Sequence, residues 1–177
     1  MKYLIHTALL LITFIGNSQE IYRTTFGTLD ILFFYNDSAV HATCKNVVVV
    51  LDYETAAFEI QIDKSKINTT IAIIDSSIQN KSFDFIYYKG KMGIEYIKTE
   101  KHPPMDFEVK GNLIYNNYSE ELIGKGHLEH IYGDVYSCIL NMSFNLTINN
   151  LSEKTGIEGL KDYLKIELIQ SVLKPDK

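Results

Sequence analysis

The chain has 177 residues, enough for one ordinary domain. Its hydrophobic fraction of 46% and charged fraction of 22% belong to a folded globular domain and exclude disorder along the whole length. The net charge of -5 and the lack of a basic cluster argue against nucleic-acid binding, because phosphate contacts need concentrated Lys and Arg. Two cysteines are too few for a disulfide-dense miniprotein or a Cys-rich zinc module.

The chain opens with a short positive start, Met1-Lys2. A mostly apolar run follows from Tyr3 to Ile15, and then the small residues Gly16-Asn17-Ser18. This order reads as a signal peptide over 1–18, cleaved before Gln19, with residues 19–177 as a single domain. The run is shorter than the roughly 20 apolar residues of a transmembrane helix, and no later run is long enough to cross a bilayer. The expected location is therefore outside the cytoplasm, periplasmic or secreted.

Along the rest of the chain the dominant period is two, the signature of half-buried strands. Strands are expected at Ile21 to Thr25, Thr28 to Tyr35 and Val40 to Leu51, the last bent or bulged around Asn46. Phe58, Ile60 and Ile62 then alternate with Glu59, Gln61 and Asp63. Ile71 to Phe85 has no such period and reads as a short helix or an ordered loop over a barrel mouth. Further strands are expected at Gly93 to Thr99, around Met105, Phe107 and Val109, and at Leu122 to Ile131. In the clearest stretch Cys138, Leu140, Met142, Phe144, Leu146 and Ile148 share one face. Ile139, Asn141, Ser143, Asn145, Thr147 and Asn149 share the other. At the end of the chain, Ile157, Leu160, Leu164, Leu168 and Val172 suit a helix, whereas Leu164, Ile166 and Leu168 suit a strand. Turn chemistry lies at Asn36-Asp37-Ser38, Asp52-Tyr53-Glu54, Lys110-Gly111-Asn112, Asn116-Asn117 and Gly133-Asp134. The resulting fold class is all-β, an antiparallel sandwich or barrel.

Few residues suggest chemistry. His127 and His130 stand three apart on an expected strand, which turns them to opposite faces, so they cannot share a metal ion without a bulge. There is no Gly-x-Ser-x-Gly elbow, no His-Glu-x-x-His motif and no Gly-rich phosphate loop, so neither an enzyme nor a bound cofactor is expected. Cys44 and Cys138 both fall in apolar alternation. They read either as a disulfide formed after export or as two inert buried thiols.

Several segments resemble the YceI-like family, the exported lipocalin-like barrels associated with polyisoprenoid binding. Glu100-Lys101-His102-Pro103-Pro104-Met105-Asp106-Phe107 looks like that family's approach to a mid-barrel strand. Lys66-Ile67-Asn68-Thr69 looks like its Ser-Ile-x-Thr strand end, and Gly111-Asn112-Leu113 like its Gly-x-Leu hairpin. Gly159 to Ile166 looks like its closing short helix running into a last strand, which favours a strand for the end of the chain. The chain departs from the family's Arg-Asp-x-His-Leu-type motif, where Ile71 to Phe85 holds neither Arg nor His.

The resemblance implies an antiparallel eight-stranded lipocalin-like barrel with one or two short helical segments. It implies a binding protein holding an isoprenoid or another long-chain lipid in an apolar interior. The inward set would be Phe58, Ile60, Ile62, Met105, Phe107, Val109, Leu140, Met142, Phe144, Ile166 and Leu168. Each buried methylene contributes about 0.8 kcal/mol, so few polar contacts are needed. The other reading is a filled barrel that acts as an envelope interaction or stress-response module, recognising a partner through an aromatic patch at Tyr87, Tyr88 and Tyr96.

Overall fold

The computed structural model describes residues 20–79, 84–97, 103–131 and 137–176. The expected signal peptide, the Glu100-Lys101-His102 motif and the Gly133-Asp134 turn lie outside these residues. The elements are β1 (Ile21–Tyr35), β2 (Ser38–Asp52), β3 (Ala57–Asp63), β4 (Ile67–Asn68), α1 (Ala72–Gln79), β5 (Phe85–Met92), β6 (Met105–Tyr115), β7 (Tyr118–Ile131), β8 (Ser137–Thr147), α2 (Leu151–Thr155) and β9 (Leu160–Pro175). All strand pairings are antiparallel. The wall runs β1-β2-β3-β5-β6-β7-β8-β9 and closes by pairing β9 with β1, giving an eight-stranded barrel. The two-residue β4 adds to β2 beside Thr43 and Cys44.

Closure has a local signature in the three longest strands. On β2 the inward residues are Val40, Ala42 and Cys44, then Val47, Val49 and Leu51. The alternation changes parity at Asn46, whose φ of 62° is tolerated by Asn better than by most residues. The bulge expected there is present. β1 changes parity between Thr24 and Gly27, so two expected strands are one bulged strand. β9 changes parity at Gln170, whose φ is 43°, between Leu168 and Ser171. These bulges lie on three neighbouring strands and add the local twist that lets long strands coil into a closed wall. The β1–β2 turn follows its residues: Asn36 and Asp37 have φ of 48° and 61°, the pair of left-handed conformations of a tight type I′ hairpin.

Three expectations are corrected. Gly93 to Ile97 is not a strand, and residues 98 and 99 lie outside the described set. Here the backbone leaves the wall after Met92, and Ile97 N–H donates to the Tyr53 carbonyl at 2.8 Å. Lys110-Gly111-Asn112 is not a turn but the middle of β6. There Gly111 lies against Gly90 on β5, and a Cβ built on Gly111 would come within 2.7 Å of the Gly90 Cα. Glycine marks a close approach of two strands at this point rather than a reversal. The closing helix, α2, lies upstream of Gly159, and Leu160 onward is strand rather than helix. The irregular 71–85 segment contains α1, and its last residue, Phe85, opens β5.

The interior holds one apolar cluster in which Val47, Val49, Leu51, Val109, Leu128, Leu140 and Leu173 are fully buried. Two glycines of β7 make room for aromatic rings from the neighbouring strands. A Cβ on Gly124 would strike the Phe144 ring, and one on Gly126 would strike the Phe107 ring. Gly124→Ala is therefore expected to destabilise the fold by about 1–3 kcal/mol through overpacking, read as a lowered denaturant midpoint in urea. The double variant Gly124→Ala with Phe144→Leu should recover part of the loss.

Candidate ligand-binding site

The two ends of the barrel are built differently. One carries the β2–β3 turn, the 93–97 segment and the outer ends of β1 and β9. The turn folds Tyr53 inward until it is 1% exposed. Its ring stacks on Tyr22 with centroids 3.9 Å apart, and its hydroxyl lies 3.2 Å from His130 Nε2. Tyr53 N–H donates to the Glu20 carbonyl at 3.0 Å. Ala56, Met92 and Ile97 are buried around this plug. This end is sealed.

The other end carries α1, α2 and the β1–β2 and β6–β7 hairpins. Here several inward apolar residues stay partly exposed: Ile31, Tyr35, Ile86, Leu113, Leu160, Leu164 and Ile166 pack on the core without being buried by it, whereas Phe33, Val40, Leu122 and Leu146 at the same end are buried. From α1, Ile74 is buried, and Ile78 is half-buried against the same cluster. From α2, Leu151 is buried, and Ile157 is buried just beyond it. The Asp162 carboxylate on β9 accepts from Asn150 N–H at 3.2 Å and Leu151 N–H at 2.9 Å, capping α2 from across the chain. The Asp75 carboxylate likewise accepts from Thr69 N–H at 2.7 Å, which fixes α1 to the end of β4.

The rim of this helix-bearing end has one compact polar group. Lys64 Nζ donates to the Tyr115 hydroxyl at 2.7 Å and pairs with the Asp84 carboxylate at 2.8 Å, while the Tyr115 hydroxyl donates to Asp84 at 2.7 Å. Burial alone would lower the Lys64 pKa, but the hydrogen bonds to Asp84 and Tyr115 outweigh it and raise the pKa above its ordinary value. The group ties the start of β5 to the β6–β7 hairpin.

Between the ends, three rings cross the lumen. Phe58 of β3 meets Tyr88 of β5 at 5.3 Å between centroids, and Tyr88 meets Phe144 of β8 at 4.9 Å. Tyr88 is pinned by its hydroxyl, which donates to the Leu122 carbonyl at 2.8 Å, and burial pushes that hydroxyl's pKa up.

All eleven inward residues read from the sequence lie on the inner face. They are not spread evenly along it. Met105, Phe107, Val109, Leu140 and Met142 lie toward the sealed end, with Val109 and Leu140 fully buried. Phe58, Ile60, Phe144 and Leu168 lie near mid-barrel at 1–5% exposure. Ile62 and Ile166 lie toward the helix-bearing end, where Ile166 is partly exposed. The partly open end is lined mainly by residues outside that set, Ile31, Leu113 and Leu164 above all. Their signal was the same two-residue alternation, but the alternation does not reveal which end of a strand is open.

His127 and His130 do face opposite sides: His127 Nδ1 lies 2.7 Å from Asp106 on the outer wall, and His130 is inside. Tyr88 is 3% exposed, so it cannot join Tyr87 and Tyr96 in a surface patch. The disulfide reading is corrected, because Cys44 and Cys138 are separate, buried, free thiols. Cys44 Sγ lies 3.8 Å from the Asp63 carbonyl oxygen. Burial, together with the nearby Asp63 charge, pushes the Cys44 pKa up to about 11. Burial does the same to Cys138, again to about 11, and outweighs a hydrogen bond with Tyr53.

No family model matches the chain, and no curated protein matches it. A solved structure does. It is a polyisoprenoid-binding domain from Saccharophagus degradans, implicated in plant cell wall breakdown. It superposes with a TM-score of 0.67 over 89% of this chain and 99% of that one, at 6% sequence identity. The two chains share one fold. The resemblance read from the sequence thus holds for the architecture, an all-β lipocalin-like barrel.

Both thiols should be unreactive in the native protein, because only the thiolate attacks and each pKa lies well above neutral pH. With a chromogenic disulfide reagent at pH 8, the expected result is no labelling of the folded protein and labelling of both cysteines in guanidinium chloride.

Proposed function

We propose that this protein is a non-enzymatic carrier that holds an apolar, chain-like lipid of the isoprenoid type. The helix-bearing end of its barrel takes the ligand, and the protein works after export. The observation that carries the reading is the asymmetry of the barrel. One end is closed by a buried Tyr53 plug, while the other leaves a ring of inward apolar side chains partly exposed beneath two short helices. Partly exposed apolar surface is favourable to cover, and an eight-stranded barrel is wide enough to hold one small ligand. The fold shared with a polyisoprenoid-binding domain supports the same reading. The sequence pattern of 1–18 is the support for export.

A second reading has its own support. The middle of the barrel and its sealed half are packed by large side chains of 0–8% exposure, as in a filled barrel that works through its outer surface. Organic extraction of protein purified without detergent, followed by lipid mass spectrometry, separates the two. A carrier yields a stoichiometric chain-like lipid. Leu164→Glu, which puts a charge among the partly exposed apolar residues, should purify folded and without that lipid. An empty extract from the folded wild-type protein, together with no uptake of added prenyl alcohols, would favour the filled barrel.

A further inference from the structure

The lumen is not one continuous tunnel. Tyr88 and Phe144 stand on strands separated in the wall by β6 and β7, yet their rings meet at 4.9 Å, and Phe58 extends the row at 5.3 Å. The rings are 3–5% exposed. They are held in place rather than merely resting there: the Tyr88 hydroxyl is bonded to the Leu122 carbonyl, and the Phe144 ring occupies the space left by the missing side chain of Gly124. Beyond the rings the described residues of that half pack closely, with Leu128 and Leu140 fully buried and Tyr53 filling the end.

Resting on the carrier reading above, we infer that the Phe58–Tyr88–Phe144 row is the floor of the binding site and limits the ligand to a short prenyl chain. Along its longest wall, β9 from Leu160 to Ile166, the cup descends about 20 Å along the strand and about 15 Å along a barrel axis to which strands tilt by roughly 40°, while Tyr88 and Phe144 stand three residues in from Phe85 and Thr147 on the shorter walls. That depth suits a chain of farnesyl length and falls far short of a polyprenyl chain. Apolar burial adds affinity for each carbon until the floor is reached, and carbons beyond it stay in water. Ring packing at the floor therefore acts as a ruler for chain length.

The test is uptake of prenyl alcohols from phosphatidylcholine vesicles by the full-length purified protein, with geraniol, farnesol, geranylgeraniol and solanesol offered in turn. The wild-type protein should take up geraniol and farnesol and discriminate against solanesol by roughly tenfold or more. Phe144→Ala lowers the floor and should admit geranylgeraniol. Ile166→Phe raises it and should exclude farnesol while keeping geraniol, so the inference stays testable if the first variant does not fold. Wild-type uptake of solanesol equal to that of farnesol, or cut-offs unmoved in both folded variants, would overturn the ruler and leave the carrier standing. Absence of uptake at every chain length would overturn the carrier reading and the ruler with it.

Discussion

A closed barrel has a fixed internal volume, and in this protein every other feature follows from how that volume is shared. Eight strands enclose just enough space for their own inward side chains or for a small guest. Large rings therefore need small neighbours. Gly124 and Gly126 on β7 face inward and receive the Phe144 and Phe107 rings. Gly90 and Gly111 bring β5 and β6 into close approach, and Phe58 reaches the same spot. Without Gly124 the Phe144 ring would lose its place in the row that crosses the lumen.

The partition gives the two halves different characters. Toward the sealed end, packing is tight and partly aromatic, with Tyr22, Tyr53 and His130 stacked or bonded together. Toward the helix-bearing end, side chains of the same chemical type remain partly uncovered. The helices there are short and lightly held: α1 leans on Ile74 and the Asp75 contact to Thr69, and α2 depends on Asp162 for its cap. Isolated helices of this length are not stable on their own, so their position depends on what lies beneath them.

Much of the fold was legible in the residues. Phe58-x-Ile60-x-Ile62 and Cys138 to Ile148 alternate because each strand has one oily face, and the inner face is where the structure puts them. The bulge at Asn46 was legible because polar Lys45-Asn46 interrupts the alternation. Gly111 misled, since a glycine beside an Asn has the composition of a turn whether it reverses the chain or merely lets two strands touch. Tyr53 could not have been found from periodicity. It sits in a turn, and only the closing of the barrel end makes a turn tyrosine into a plug. The partly open end was likewise invisible, because it depends on which loops fold over which mouth.

The barrel's first and last strands finish side by side. Asp176 N–H donates to the Ile21 carbonyl at 2.8 Å, and Arg23 approaches the Asp176 carboxylate at 3.6 Å. Both lie at the end that Tyr53 closes. A bead, surface or fusion partner joined through either end of the barrel sequence would thus hold the molecule at its Tyr53 end, with the helix-bearing end turned outward.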